Sequence, residues 1–160
     1  MLERDRTRRL ILCFCAAAVG VAVAASGASA LFMLDYNGHL RGKPNSFVGF
    51  NKKRTASGKR KVFFFTSRGL PFKCDGGTTG KTEFLTLDDA LPIVRGEFDG
   101  KSHVFTPQGD PVARVHGVLD QARAHGTLRL TGKLDSSDPS ASCDTGIRKW
   151  VAERGPEPAS

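Results

Sequence analysis

Apolar residues along this chain fall into short runs separated by glycine, proline and charge, and the longer runs alternate with a period of two. That patterning predicts strands joined by turns. Phe47-Val48-Gly49-Phe50 begins the first strand and residues 62–66 form the next, the two joined as a hairpin. Phe63, Phe64 and Phe65 do not alternate, which predicts a central strand covered on both faces or lying beside another hydrophobic layer. Residues 70–74 follow, with Pro71 restricting them to an edge or a strand start, before the turn of residues 75–80. Residues 84–87 read as another strand ending at the corner of residues 88–92. Residues 93–98 and 102–106 then pair as a hairpin around Asp99-Gly100.

The clearest pairing lies between residues 112 and 130. A turn centred between Asp120 and Gln121 sets Ala113, Val115, Gly117 and Leu119 against Leu128, Gly126, Ala124 and Ala122, and sets His116 against His125. Both strands then sort into one apolar and one polar face, as a half-buried hairpin requires. Residues 133–142 read as a surface loop, residues 147–153 as the last strand, and residues 155–160 as a disordered tail.

The N-terminus follows a different pattern. Arg4, Arg6, Arg8 and Arg9 precede an apolar run over residues 10–25, and Ala28-Ser29-Ala30 fits a small-x-small cleavage site, so residues 1–30 read as a helical signal peptide. Leu31-Phe32-Met33-Leu34 also extends the apolar stretch to about 25 residues, which leaves an uncleaved membrane anchor as the alternative. The Arg8-Arg9 pair suits twin-arginine export, while the hydrophobic run suits the general pathway equally well. Residues 35–46 are polar and glycine-bearing, and residues 31–46 read as a flexible lead-in, which places the folded domain at residues 47–154.

Composition narrows the fold. A chain of 160 residues with 18 Gly, 8 Pro and 11 Phe suits one turn-rich domain whose core needs no metal to hold it. We therefore expect an all-β protein, an antiparallel β-sandwich of about 8 strands. Of the 4 cysteines, Cys13 and Cys15 lie inside the apolar leader and are not preceded as lipidated cysteines are, leaving Cys74 and Cys143 to form one disulfide. Trp150, the only tryptophan, is expected to pack near that crosslink.

Charge and motifs bear on function mainly by exclusion. No Gly-x-Ser-x-Gly elbow occurs. Gly80-Lys81-Thr82 ends like a phosphate loop, but Asp75 stands where its first glycine belongs and no helical pattern follows. Asp88, Asp89, Glu97 and Asp99 offer carboxylates without a spacing that singles out a catalytic pair. His116 and His125, if opposed, could share a metal ion, although two ligands fall short of a full set and the first reading is solvated surface histidines. No cofactor is expected.

The net charge is +8, and +6 with residues 1–30 set aside. Lys52, Lys53, Arg54, Lys59, Arg60 and Lys61 bracket a single turn, which could meet the phosphates of an anionic polymer. The basic stretch contains no aromatic residue on which bases could stack, which disfavours nucleic acid.

Gly126-Thr127-Leu128-Arg129, followed by Cys143-x-x-Gly146-x-x-x-Trp150-x-Ala152-x-Arg154, resembles the C-terminal pattern of a group of small exported proteins of actinobacteria and their relatives. The resemblance implies an all-β sandwich with one disulfide and carries no activity or ligand with it. The combined expectation is a secreted or envelope-associated, non-enzymatic module that binds an anionic envelope polymer or a surface protein. A membrane would be its partner only if the N-terminal segment stays uncleaved. The alternative is an extracellular hydrolase or metal-dependent enzyme using His116 and His125.

Overall fold

The computed structural model describes residues 34–104, 111–135, 137–138 and 140–155, all within the compact unit Met33–Ser160. The expected signal peptide and the tail beyond Gly155 lie outside the described residues. Among the described residues twelve strands follow in order: β1 (Tyr36–Leu40), β2 (Lys43–Arg54), β3 (Arg60–Arg68), β4 (Pro71–Cys74), β5 (Thr79–Lys81), β6 (Leu85–Thr86), β7 (Leu91–Val94), β8 (Glu97–His103), β9 (Val112–Asp120), β10 (Arg123–Gly132), β11 (Cys143–Asp144) and β12 (Arg148–Arg154). All their pairings are antiparallel.

The all-β, antiparallel expectation holds, but the two-layer sandwich does not. Eight strands close into a barrel in the order β1, β2, β3, β7, β8, β9, β10, β12, because β12 bonds to both β10 and β1. The closing strand β1 lies inside the segment expected to be a flexible lead-in. Its Tyr36 and Leu40 point into the barrel and are almost completely buried, and the strand is held between β2 and β12 along its length. Short alternation in a polar context hid it. Gly155, expected to fray, instead donates its N–H to the Asp35 carbonyl at 2.9 Å.

The three successive phenylalanines are accommodated by a bulge. Gly49 faces Thr66 and Asn51 faces Phe63, so β3 fits two residues, Phe64 and Phe65, opposite the single residue Phe50. Phe64 takes a left-handed φ of 52° and points to solvent, which resets the alternation so that Val62 and Phe65 both face inward. At the bulge the strand is therefore covered on one face, and Phe64 is 57% exposed where burial on both sides was one expectation.

An eight-stranded barrel has an interior just wide enough for side chains to fill. Here the filling is aromatic. Phe50 stacks between Tyr36 and Phe65, with centroids 4.8 and 5.8 Å away, while Trp150 lies parallel to Phe98 at 6.1 Å and meets Phe50 and Phe65 edge-on. The stretch of wall between Phe98 and Trp150 is bare, because their direct cross-strand partners are glycines. Gly117 faces Gly126 across β9 and β10. A Cβ on Gly117 would lie 2.2 Å from the Phe98 ring, and one on Gly126 would lie 2.7 Å from the Trp150 ring and 1.9 Å from the His116 carbonyl.

The same use of glycine explains a misplaced turn. Asp99-Gly100 lies in the middle of β8, and the chain instead reverses at Arg95-Gly96, where both residues take positive φ. Gly100 supplies room for Leu91, whose Cδ2 would be 2.3 Å from an added Cβ.

At the end of the barrel where β1 finishes and β2 begins, buried hydroxyls satisfy backbone donors. Ser46, Thr82 and Thr145 accept from the N–H groups of Leu40, Leu70 and Leu130. A small sheet of β11, β4 and β5 continues from β10 beyond the closed ring. Cys74 and Cys143 face one another across β4 and β11 and form the expected disulfide. They belong with Phe72 to a second, smaller apolar cluster, separate from the barrel core that contains Trp150. The expectation that Trp150 packs at the crosslink is thus corrected: the ring alternates inward with Ala152 and fills the barrel, and the disulfide anchors the added sheet.

Candidate functional site

The basic turn is a projecting hairpin tip. Thr55 and Lys59 close a three-residue loop, with the Thr55 N–H donating to the Lys59 carbonyl at 2.8 Å and Gly58 taking a left-handed φ of 79°. The ladder beneath it places Lys53 opposite Lys61 and Arg54 opposite Arg60. Both cross-strand pairs are like-charged, an arrangement that costs roughly 0.2–1 kcal/mol per pair in an antiparallel sheet. Lys53, Arg54, Lys59 and Arg60 are exposed, and none of the six basic residues forms an ion pair with a carboxylate among the described residues.

Lys52 is set apart from the other five. Its ammonium lies 5.9 Å from the centroid of the Tyr36 ring, and its backbone N–H donates to the Asp35 carboxylate at 2.6 Å. It is half-buried at the end of the aromatic column, leaving five cations on the projecting part. Arg54 donates to the Gly58 carbonyl at 3.2 Å, which braces the tip.

The opposed histidine pair is not formed. The β9–β10 hairpin turns at Gln121-Ala122, two residues out of the expected register, so His116 faces Thr127 and His125 faces Val118. Gln121 takes a φ of 42°, the left-handed geometry that a two-residue hairpin turn needs at its first position, and Tyr36 Oη donates to its carbonyl at 3.2 Å. A shift of two leaves every side chain on its expected face, which is why the apolar pattern could not distinguish the registers.

His116 has Asp99 as its neighbour on β8, with Nδ1 3.9 Å from the carboxylate. Across the closing seam, β12 Val151 faces both His125 and His39, so these two imidazoles flank Val151 on the outer wall. They border an open groove of about 570 Å³ together with Arg41, Arg123 and Glu153. Sequence reasoning missed His39 because only barrel closure brings β1 to β12. Among the described residues, no three His, Cys, Asp or Glu side chains gather as a metal ligand set.

Other sequence candidates have structural roles. Gly80 and Lys81 belong to β5, with Gly80 lying against the Phe72 ring, so the Gly-Lys-Thr sequence does not open a helix. Asp89 sits at the expected corner, its N–H donating to Ser102 Oγ at 3.2 Å. Glu97 and Asp99 are exposed on β8.

Arg129 and Asp144 form the best-aligned ion pair, bidentate at 3.0 and 2.5 Å. The Arg129 hydrogen bonds hold the Asp144 carboxyl below its ordinary pKa; partial burial opposes this, and the Gly146 N–H and the nearby Arg129 and Arg148 charges add to the lowering. A carboxyl depressed in the folded state contributes stability above its unfolded value of about 3.9, and that contribution disappears as pH falls through the folded value. Both side chains are over 40% exposed, so the effect is small. Urea titrations between about pH 5 and 2 should show a shallower acid decline in stability for Arg129→Gln than for wild type. Parallel pH profiles for the two proteins would remove the pair from this role.

Comparison with protein-family models, with curated proteins and with solved structures finds no match to this chain.

Proposed function

We propose that this protein is an exported, non-enzymatic binding module of the cell envelope, and that it engages an anionic polymer through the basic tip of the β2–β3 hairpin. The observation that carries the reading is the pairing of Lys53 with Lys61 and Arg54 with Arg60 at a projecting tip. Opposing like charges costs folding energy, and no carboxylate among the described residues offsets it, so the compensation is assigned to an anionic partner. The filled barrel supports the same reading, since its aromatic column occupies the space in which barrels of this size hold a small ligand. Binding is therefore assigned to the exterior.

Immobilised polyphosphate provides the test. Phosphate contacts by lysine and arginine release counterions, and each is worth about threefold in affinity between roughly 50 and 200 mM salt. Wild-type protein should elute progressively earlier as salt rises. A variant carrying Lys53→Gln, Arg54→Gln, Lys59→Gln and Arg60→Gln should bind much more weakly and with a flatter salt dependence, while its melting temperature stays level or rises. Equal retention of both proteins would overturn the assignment to the tip. Salt-insensitive retention would overturn the polyanion reading itself.

A further inference from the structure

We propose that the outer wall of β8, β9 and β10 carries a second anion-binding site, centred on Arg114 and built for a phosphate- or sulfate-class oxyanion. The site follows from register. Arg114 faces Lys101 on one side and Arg129 on the other, so three cationic side chains form one row across three adjacent strands. Their inward neighbours Ser102, Ala113 and Leu130 are buried, so alternation directs all three outward. At the usual strand spacing the row spans about 10 Å.

Among the described residues, the charges in this row are compensated only at one end. Arg129 holds Asp144, and on the adjoining row Asp99 approaches His116. Lys101 and Arg114 have no carboxylate partner among the described residues, although Arg114 faces a like charge on each side. The strands cannot slip to relieve this. Gly100 must lie beneath Leu91, and Gly117 beneath Phe98, so interior packing fixes the register that sets the cations side by side.

An open groove of about 460 Å³ lies along this row, lined beside the cations by Thr127, His116 and the Asp99 carboxylate that approaches His116. The arrangement suits an oxyanion. A guanidinium presents a planar fork that binds two oxygens at once, Lys101 adds a mobile point charge, and the Thr127 hydroxyl adds a neutral donor. In barrel order the central strand β9 lies four strands from β2 and three from β3, so this site is distinct from the hairpin tip and stands without it.

The test is a titration of isotopically labelled protein with inorganic phosphate and, separately, sulfate, followed by amide NMR. Saturable shifts should concentrate at residues 99–101, 114–116 and 127–129, and the tighter of the two ions defines the preferred class. Arg114→Gln should weaken the response at least tenfold, while the hairpin-tip variant titrates as wild type does. A second readout covers folding. Without anion, Arg114→Gln should melt about 1–4 °C higher than wild type because it removes two like-charge contacts. Added phosphate should raise the wild-type midpoint and leave the variant unmoved. Shifts that fail to saturate, or that persist in Arg114→Gln, would overturn the site, as would loss of these shifts in the tip variant.

Discussion

Trp150→Ala should destabilise the barrel by about 3–5 kcal/mol, the range for removing a large aromatic side chain from a packed core. The total stability of a domain this size is typically about 5–15 kcal/mol, so the variant should be marginal at ambient temperature. Trp150 is fully buried and contacts Phe50, Phe65 and Phe98, and the space facing it is set by Gly126. Collapse around the missing ring is limited because each neighbouring ring also packs against another ring. Trp150→Phe should cost far less than the alanine variant. It keeps much of the ring volume and also removes the indole N–H, which is buried without an acceptor among the described residues. Urea unfolding followed by far-ultraviolet circular dichroism measures both variants. A loss under about 1.5 kcal/mol for Trp150→Ala would mean that the aromatic column does not hold the barrel as described.

The second large effect is expected at Cys74–Cys143. The bond joins residues 69 apart in sequence, and a loop of that length removes about 4 kcal/mol worth of unfolded-chain entropy in the loop-closure model. Cys74→Ser combined with Cys143→Ser should lower the urea midpoint accordingly, and the oxidised wild type should exceed its reduced form by a similar margin. Because the bond anchors β4 and β11 rather than the barrel core, the loss should appear first in the small added sheet. Amide exchange should therefore accelerate at residues 71–81 before it does at β9 and β10. Coincident melting of oxidised and reduced protein would rule out this stabilising role.

The contrast between these two sites shows what the sequence made legible. The disulfide could be derived by elimination, because setting aside residues 1–30 leaves two cysteines. The placement of Trp150 could not, because it depends on which strand completes the ring. Local alternation identified β9 and β10 and even the correct face of every residue, yet it left the register ambiguous by two, and that ambiguity created a histidine pair the fold does not contain. Asp99-Gly100 is a strong turn signal in isolation, and it was overridden by the need of Leu91, on the neighbouring strand β7, for an empty position beside it. The basic tip was legible because it is a local hairpin. The cationic row of Lys101, Arg114 and Arg129 was not, since its members come from three strands and acquire a common position only through pairing.

The seam formed by β1 and β12 also governs the order of assembly. The first described strand is held in place by the last, and the ladder from Tyr36–Arg154 to Leu40–Trp150 joins the two extremes of the domain. Until residues 148–154 are available, the remaining strands can form only an open, curved sheet with β1 and β10 as unprotected edges. Contacts of such long sequence separation form slowly, and raw edges invite pairing with other molecules in the interval. The completed barrel has no such edge along its seam, so its most vulnerable moment belongs to biogenesis, before the final strand arrives.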